Sequence, residues 1–185
     1  ASACRLKEKT VLFLGDKGAG KSLVSDSILM KYDSDFIAAD QTIIFINGQG
    51  IRCRGNITSY RVWAEQNILS GKYDKYKKLL MHAPDMEEVE NRIINSKINF
   101  PPCVVFEFLG KNILMESIPD FFFFLGEGKE ECITEVHSED AYRLLKKYLV
   151  QDGYKDCELD ILKKEELERK QVWLIQEIIA SCRFW

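Results

Sequence analysis

The chain has 185 residues, of which 46% are hydrophobic and 30% charged, a composition typical of an ordinary globular domain. Its formal net charge of −3, with both signs intermixed, gives no basic field that would attract nucleic acid. No apolar run reaches the roughly 18–20 residues of a membrane helix, and no apolar leader core is visible. The six cysteines form no C-x-x-C pair, which favours reduced thiols. We therefore expect one domain over residues 1–185, a cytoplasmic location, and neither membrane nor nucleic acid as a partner.

Strands and helices alternate along the first half of the chain. Apolar and β-branched runs predict strands, and a 3.6-residue periodicity predicts helices; the strands are 10–15, 41–48 and 51–63, and the helices 21–32 and 64–97. Asn47-Gly48 is a hairpin-turn signal, so the second and third strands are expected to be neighbours, although Gly55 interrupts the third.

The second half continues the alternation. Predicted strands lie at 101–110, at 119–126 and near 155–162, and predicted helices at 138–149 and 164–182, while 112–117 fits either a strand or a short helix. The closing "CRFW" leaves Phe184 and Trp185 exposed unless they dock elsewhere. Because helices separate most strands, the pattern predicts a three-layer α/β fold with a mainly parallel sheet of about five strands.

Residues 15–22 read GDKGAGKS and match the spacing G-x-x-x-x-G-K-S between a predicted strand and a predicted helix. Glycines in such a loop let successive backbone N–H groups turn towards an anion, and the start of the helix adds its positive end. The lysine can reach the β- and γ-phosphates, and the serine hydroxyl can ligate Mg²⁺. The residues predicted to hold a nucleotide are Gly15, Asp16, Lys17, Gly18, Ala19, Gly20, Lys21 and Ser22.

This segment resembles the phosphate-binding loop of the P-loop NTPase superfamily. The resemblance implies binding of ATP or GTP with Mg²⁺, a catalytic role for Lys21, and a metal-side role for Ser22. It also implies an acidic residue at the end of another central strand, as a metal ligand or base. Glu107 in "VVFEFLG" is the first candidate, Glu116 is the reserve, and Asp40 is the weakest of the three.

Within the superfamily, the chain resembles nucleoside and nucleotide kinases. "VVFEF" followed by "IPDFFFFLG" is similar to their Walker B strand and a later apolar strand, and residues 57–93 resemble their acceptor-binding region. This resemblance implies an acceptor contact for Arg61, with Arg92 as a weaker candidate. The lid of such kinases supplies arginines, whereas this chain offers an acidic segment and leaves Lys17, Lys129 and Arg143 as candidate cations.

The chain is also similar in size and order of elements to a Ras-like small GTPase. The Asn-Lys-x-Asp motif that reads guanine in that family is missing, and so is the Asp-x-x-Gly switch unless residues 107–110 replace it. This resemblance implies a regulatory or scaffold protein that acts through protein partners. The sequence leaves the choice between kinase and switch open, together with the choice between ATP and GTP.

Overall fold

The computed structural model describes residues 1–56, 60–63, 97–100, 103, 107, 110–126, 132–149 and 164–185. Nine strands and three helices are described over their whole length: β1 (Ser2–Leu6), β2 (Lys9–Gly15), α1 (Lys21–Lys31), β3 (Ser34–Ala38), β4 (Thr42–Asn47), β5 (Gly50–Gly55), β6 (Tyr60–Trp63), β7 (Lys97–Phe100), β8 (Phe121–Leu125), α2 (Ser138–Tyr148), α3 (Lys164–Ser181) and β9 (Arg183–Phe184). None of these three helices is both long enough and apolar enough to cross a bilayer.

The chain divides into two compact units. The first contains Ala1–Gly55 and Leu114–Trp185, and the second contains Asn56–Ile113. Each unit is described by itself below. The expectation of one domain over 1–185 stays a prediction.

A five-stranded sheet in the order β3-β1-β2-β8-β9 forms the centre of the first unit. β1 is antiparallel to both β2 and β3, whereas β2 is parallel to β8 and β8 is parallel to β9. Four of the five strands therefore run in one direction, and β1 runs against them.

The predicted three-layer fold with a mainly parallel sheet is wrong, because only two of the four strand pairs in this sheet are parallel. The prediction failed because it placed no strand before residue 10, whereas β1 lies there and runs antiparallel to its neighbours. β1 and β2 are joined by Lys7 and Glu8 alone, and Lys7 has a positive φ of 55°. A two-residue connection can join only antiparallel neighbours, since a parallel pair needs a crossover of a dozen or more residues.

The two faces of this sheet pack against different elements. On one face, Leu12, Leu14 and Phe122 belong to a cluster that includes residues of β5, α2 and α3. Alternate strand residues point to the opposite face. There Cys4 of β1 and Ser25 of α1 are both buried, and α1 packs against β1, β2 and β3. The cluster and α1 therefore lie on opposite faces of the sheet.

The hairpin predicted from strands 41–48 and 51–63 is confirmed as far as Gly55, because β4 and β5 pair antiparallel from Thr42↔Gly55 to Asn47↔Gly50. The second strand of this hairpin ends at Gly55 and not at residue 63. Ile51 and Cys53 of β5 are buried in the core, and a Cβ on Gly55 would overlap the carbonyl of Ile37 in β3. The residue that interrupts the sequence pattern is therefore the one that allows the hairpin to approach the sheet.

The C-terminal residues dock on the sheet instead of remaining exposed. Phe184 is buried and its ring stacks on those of Phe122 and Phe124, with centroids 5.5 and 6.1 Å apart. The backbone of Trp185 exchanges hydrogen bonds with β8 through Phe122 and Phe124. The predicted helices at 138–149 and 164–182 are confirmed as α2 and α3.

In the second unit, β6 and β7 pair antiparallel, with Arg61 opposite Asn99. Cys103 and Glu107 are helical and exposed, and the Gly110 N–H donates to the Glu107 carbonyl over 3.3 Å. The strand predicted for 101–110 is therefore wrong at both residues. The helix predicted over 64–97 falls almost wholly outside the described residues, as does the strand near 155–162.

Candidate functional site

The glycine-rich loop leaves the sheet at the edge where two parallel strands end together. The last pair between β2 and β8 is Gly15↔Leu125. A Cβ on Gly15 would lie 2.6 Å from the Leu125 carbonyl oxygen, so only glycine fits where the loop begins. The carboxyl ends of parallel strands are the usual position of a ligand site in an α/β sheet.

The loop then turns tightly into α1. Gly18 and Gly20 have φ values of 92° and 85°, and the Ala19 N–H donates to the Asp16 carbonyl over 3.2 Å. The first helical hydrogen bond runs from the Val24 N–H to the Gly20 carbonyl. The N–H groups before it have no partner inside the helix, and the first turn of α1 contains no acidic residue. This helix end can therefore attract an anion.

The Lys21 ammonium lies over this loop. It donates 2.8 and 2.7 Å hydrogen bonds to the carbonyl oxygens of Gly15 and Asp16. Phosphate oxygens carry charge and bind an ammonium more strongly than neutral carbonyls do. The same ammonium can therefore exchange these carbonyls for phosphate oxygens with little movement of the lysine backbone. Ser22 lies next to it in the first turn of α1, partly buried.

Asp40 comes to the same edge of the sheet. It follows β3, which runs parallel to β2 because both are antiparallel to β1. The Ala1 amine donates to the Asp40 carbonyl over 3.0 Å, and the neighbouring Ser2 hydroxyl donates to the Lys21 carbonyl over 3.1 Å. Two adjacent residues, Ala1 and Ser2, therefore link Asp40 and Lys21 beside the loop.

The other two acidic candidates have different surroundings. Glu116 lies 3.7 Å from Arg52, and its neighbour Ser117 hydrogen-bonds through its hydroxyl to Thr10 near the start of β2. Glu116 therefore belongs to the edge opposite the loop. Glu107 is exposed and helical in the second unit, not at the end of a strand. Its predicted metal role stays a prediction.

Arg61, the predicted acceptor contact, lies on β6 in the second unit. Its role stays a prediction too. Asp120 of the "IPDFFFFLG" stretch accepts hydrogen bonds from the Lys9 ammonium and the Thr10 N–H, over 2.7 and 2.9 Å. Its carboxylate thus joins the starts of β2 and β8, far along both strands from the loop.

A cation that the sequence did not single out lies beside the loop. The Lys147 ammonium, near the end of α2, is 2.8 Å from the Asp16 carboxylate. Arg143, one turn earlier, is held by Glu139 and Asp140 of its own helix. Lys17 is exposed on the loop, and Lys129 lies outside the described residues. A basic residue in the last turn of a helix is so common that Lys147 had no distinguishing signal.

The described residues around the loop offer few metal ligands of their own. In the described part of the chain, no three His, Cys, Asp or Glu side chains form a metal-binding group. Mg²⁺ bound with nucleotides commonly takes only one or two protein ligands and completes its shell with phosphate and water oxygens. The Ser22 hydroxyl and the Asp40 carboxylate suit that chemistry.

No protein-family model matches the chain, and a search of curated proteins found no significant match.

Proposed function

We propose that the chain binds the phosphates of a nucleoside triphosphate, ATP or GTP, together with Mg²⁺ at residues 15–22. The observation that carries this proposal is the position of the Lys21 ammonium over the loop carbonyls, where β2 and β8 end. These two hydrogen bonds keep the ammonium at the loop, where phosphate oxygens can replace the carbonyl oxygens as its acceptors. The uncapped first turn of α1 supports the same anion site.

In this proposal each residue has one task. The loop N–H groups cradle the phosphates, Lys21 binds the β- and γ-phosphate oxygens, and Ser22 ligates Mg²⁺. Asp40 is our choice for the acidic residue on the metal side, because β3 brings it to the edge where Lys21 lies. Bound Mg²⁺ would supply neutralisation of the phosphate charge.

We further propose that the bound triphosphate serves a small phosphotransferase of the nucleoside or nucleotide kinase type. The support is that Lys21 and Asp40 lie at one edge of the sheet, since phosphoryl transfer needs charge stabilisation and a group that orients the acceptor or metal. Arg61 stays the candidate acceptor contact that the resemblance implies.

The second candidate function is a nucleotide-dependent switch or scaffold that acts through protein partners. One observation favours it: two cations on α2, Arg143 and Lys147, are each held by carboxylates. Cations engaged in this way are less available to stabilise a transferring phosphoryl group, which is consistent with slow turnover.

A thermal-shift titration tests nucleotide binding. ATP, GTP and their diphosphates are added with and without Mg²⁺ to the wild type, to Lys21→Ala, and to Lys31→Ala, an exposed lysine at the far end of α1, as a control with the same charge change. A ligand at about 100 times its dissociation constant should stabilise the fold by about 2.7 kcal/mol. We expect a Mg²⁺-dependent shift that Lys21→Ala abolishes and Lys31→Ala keeps. The absence of any shift in the wild type would refute the proposal.

Turnover separates the two candidate functions. Phosphate release and nucleoside diphosphate formation are followed with the triphosphate that binds, alone and with pooled nucleosides and nucleoside monophosphates. A kinase should consume the triphosphate faster when its acceptor is present. A switch should bind tightly, turn over slowly regardless of acceptor, and show different partner affinity with diphosphate and triphosphate.

A further inference from the structure

Asp16 is the one acidic side chain in the loop at 15–22, and it is an unexpected residue at a phosphate site. Its carboxylate carries the same sign of charge as the proposed ligand, and repulsion between them would weaken binding. Its carbonyl, in contrast, accepts the 2.7 Å hydrogen bond from the Lys21 ammonium. The loop therefore needs the backbone of Asp16 in place while its side-chain charge is unfavourable.

The Lys147 ammonium forms a hydrogen bond with the Asp16 carboxylate. Its ammonium lies 2.8 Å from Asp16 Oδ2 and 3.2 Å from the Tyr148 hydroxyl, and it sits over the Tyr148 ring at 4.8 Å from the centroid. The hydrogen bond to Asp16 is the largest of the causes that raise the pKa of Lys147. Lys147 and Asp16 are 131 residues apart in sequence, so the tertiary fold creates this pair.

The packing of α2 fixes where Lys147 can reach. Leu145 is fully buried, and the Tyr148 ring stacks on Phe124 of β8 with centroids 6.4 Å apart. The next carbonyl, that of Leu149, accepts a 2.9 Å hydrogen bond from the Gln171 side chain of α3. Phe124 directly precedes Leu125, the β8 residue opposite Gly15, so this end of α2 is anchored beside the loop.

We propose that Lys147 is a positioning residue for the phosphate loop. It neutralises the Asp16 carboxylate and holds Asp16 so that its carbonyl supports Lys21. The affinity part of this inference rests on the proposed function, and the loop-holding part does not. Lys147 acts through Asp16 and makes no direct contact with the nucleotide.

The first experiment is a double-mutant cycle on nucleotide affinity. Fluorescent methylanthraniloyl-ATP and -GTP are titrated with Mg²⁺ into the wild type, Lys147→Met, Asp16→Asn and the double variant. Lys146→Met, one residue away and exposed, is the control with the same charge change. Because both partners are more than half exposed, we expect Lys147→Met to weaken binding by about twofold to fivefold. Lys146→Met should change it less than twofold.

The double variant decides how Lys147 acts. With the carboxylate gone, Lys147 has nothing to neutralise, so the double variant should bind within about twofold of Asp16→Asn. If the double variant stays as weak as Lys147→Met, the lysine contacts the nucleotide directly and the proposal is overturned. An unchanged affinity in Lys147→Met overturns it as well.

Amide hydrogen exchange of residues 15–22, measured without nucleotide, tests the loop-holding part independently. We expect exchange to accelerate several-fold in Lys147→Met and to stay at the wild-type rate in Lys146→Met. Unchanged exchange in Lys147→Met overturns the loop-holding role, whatever the affinities show. If the wild type binds no nucleotide, the proposed function and the affinity effect both fall, and exchange alone decides the loop-holding role.

Discussion

Leu125 ends β8 so close to Gly15 that a Cβ placed on Gly15 would lie 2.6 Å from the Leu125 carbonyl oxygen and 3.1 Å from Ala19 Cβ. The first of these atoms belongs to the backbone of a central strand and cannot move aside easily. We expect Gly15→Ala to destabilise the fold by about 1–3 kcal/mol, as overpacking in a well-packed region commonly does. Urea unfolding followed by circular dichroism measures this cost.

The matched control for that prediction is Gly126→Ala, one residue beyond β8. A Cβ there meets nothing within 4 Å, so the stability should stay within about 0.5 kcal/mol of the wild type. An equal loss of stability in Gly15→Ala and Gly126→Ala would contradict the idea that the close contact of Gly15 with Leu125 fixes the start of the loop.

Asp120 should matter for stability and not for nucleotide binding. Its backbone N–H and carbonyl bond to Thr10 and Arg183, while its carboxylate accepts from Thr10 and Lys9, so one residue joins β2, β8 and β9. We expect Asp120→Ala to cost about 1–3 kcal/mol, because it leaves the part-buried Thr10 N–H without its acceptor. Chemical denaturation gives the cost, and nucleotide affinity should stay unchanged at a temperature where the variant is folded.

Lys9→Ala is the companion to Asp120→Ala. It removes only the exposed ion pair, which is worth about 0–1 kcal/mol. If Lys9→Ala lowered the free energy of unfolding as much as Asp120→Ala does, the ion pair and not the Thr10 hydrogen bond would account for the effect of Asp120.

The elements predicted correctly from the sequence are those with a strong local pattern. β2 and β8 are apolar runs, the β4-β5 hairpin carries an Asn-Gly signal, and α1, α2 and α3 show helical periodicity. β1 and β3 were missed because they are short and because polar residues interrupt their apolar pattern, although most of their side chains are buried. Arg5 of β1 and Asp35 of β3 lie directly opposite each other and form a 2.7 Å ion pair. This pair explains why two charged residues stand inside strands of the sheet.

The candidate site was also predicted only where its residues are contiguous in the sequence. The loop at 15–22 and its flanking strand and helix could be predicted, since the motif is contiguous in the chain. Asp40 ranked last among the acids because its importance depends on β3, which was not predicted. Lys147 depends on the packing of α2 against β8, and no property of the sequence reports that contact.

The five cysteines in the described part of the chain should divide into reactive and protected thiols. Burial raises the pKa of Cys4, Cys53 and Cys182 to about 12, whereas Cys103 and Cys132 are exposed. Alkylation requires the thiolate. At pH 8 we expect iodoacetamide to label Cys103 and Cys132 rapidly, and the other three only after denaturation. Peptide mass spectrometry assigns the sites, and rapid labelling of Cys4 in the folded protein would contradict this order.

The same three thiols predict the direction of alkaline stability. Their folded pKa lies above the unfolded value of about 8.5, so the folded state favours the protonated form. The stability that these buried thiols contribute to the folded state is complete below that pH and is lost as the pH rises towards 12. The free energy of unfolding should therefore fall above about pH 9, and a rise with pH in that range would show that other groups dominate.

Asp40 and Glu116 give opposite expectations for the metal. Asp40 follows the strand that ends beside the loop, whereas Glu116 lies by Arg52 at the other edge of the same unit. If Asp40 helps to hold Mg²⁺, Asp40→Asn should weaken the Mg²⁺-dependent part of nucleotide binding by about tenfold and leave metal-free binding nearly unchanged. Titration of Mg²⁺ at fixed triphosphate concentration measures this difference.

Glu116→Gln is the matched control and should preserve the Mg²⁺ dependence, because its carboxylate is near the start of β2. If Glu116→Gln removed the dependence and Asp40→Asn kept it, the metal could not sit at the edge where Gly15, Lys21 and Leu125 converge, and the assignment of Asp40 would be wrong.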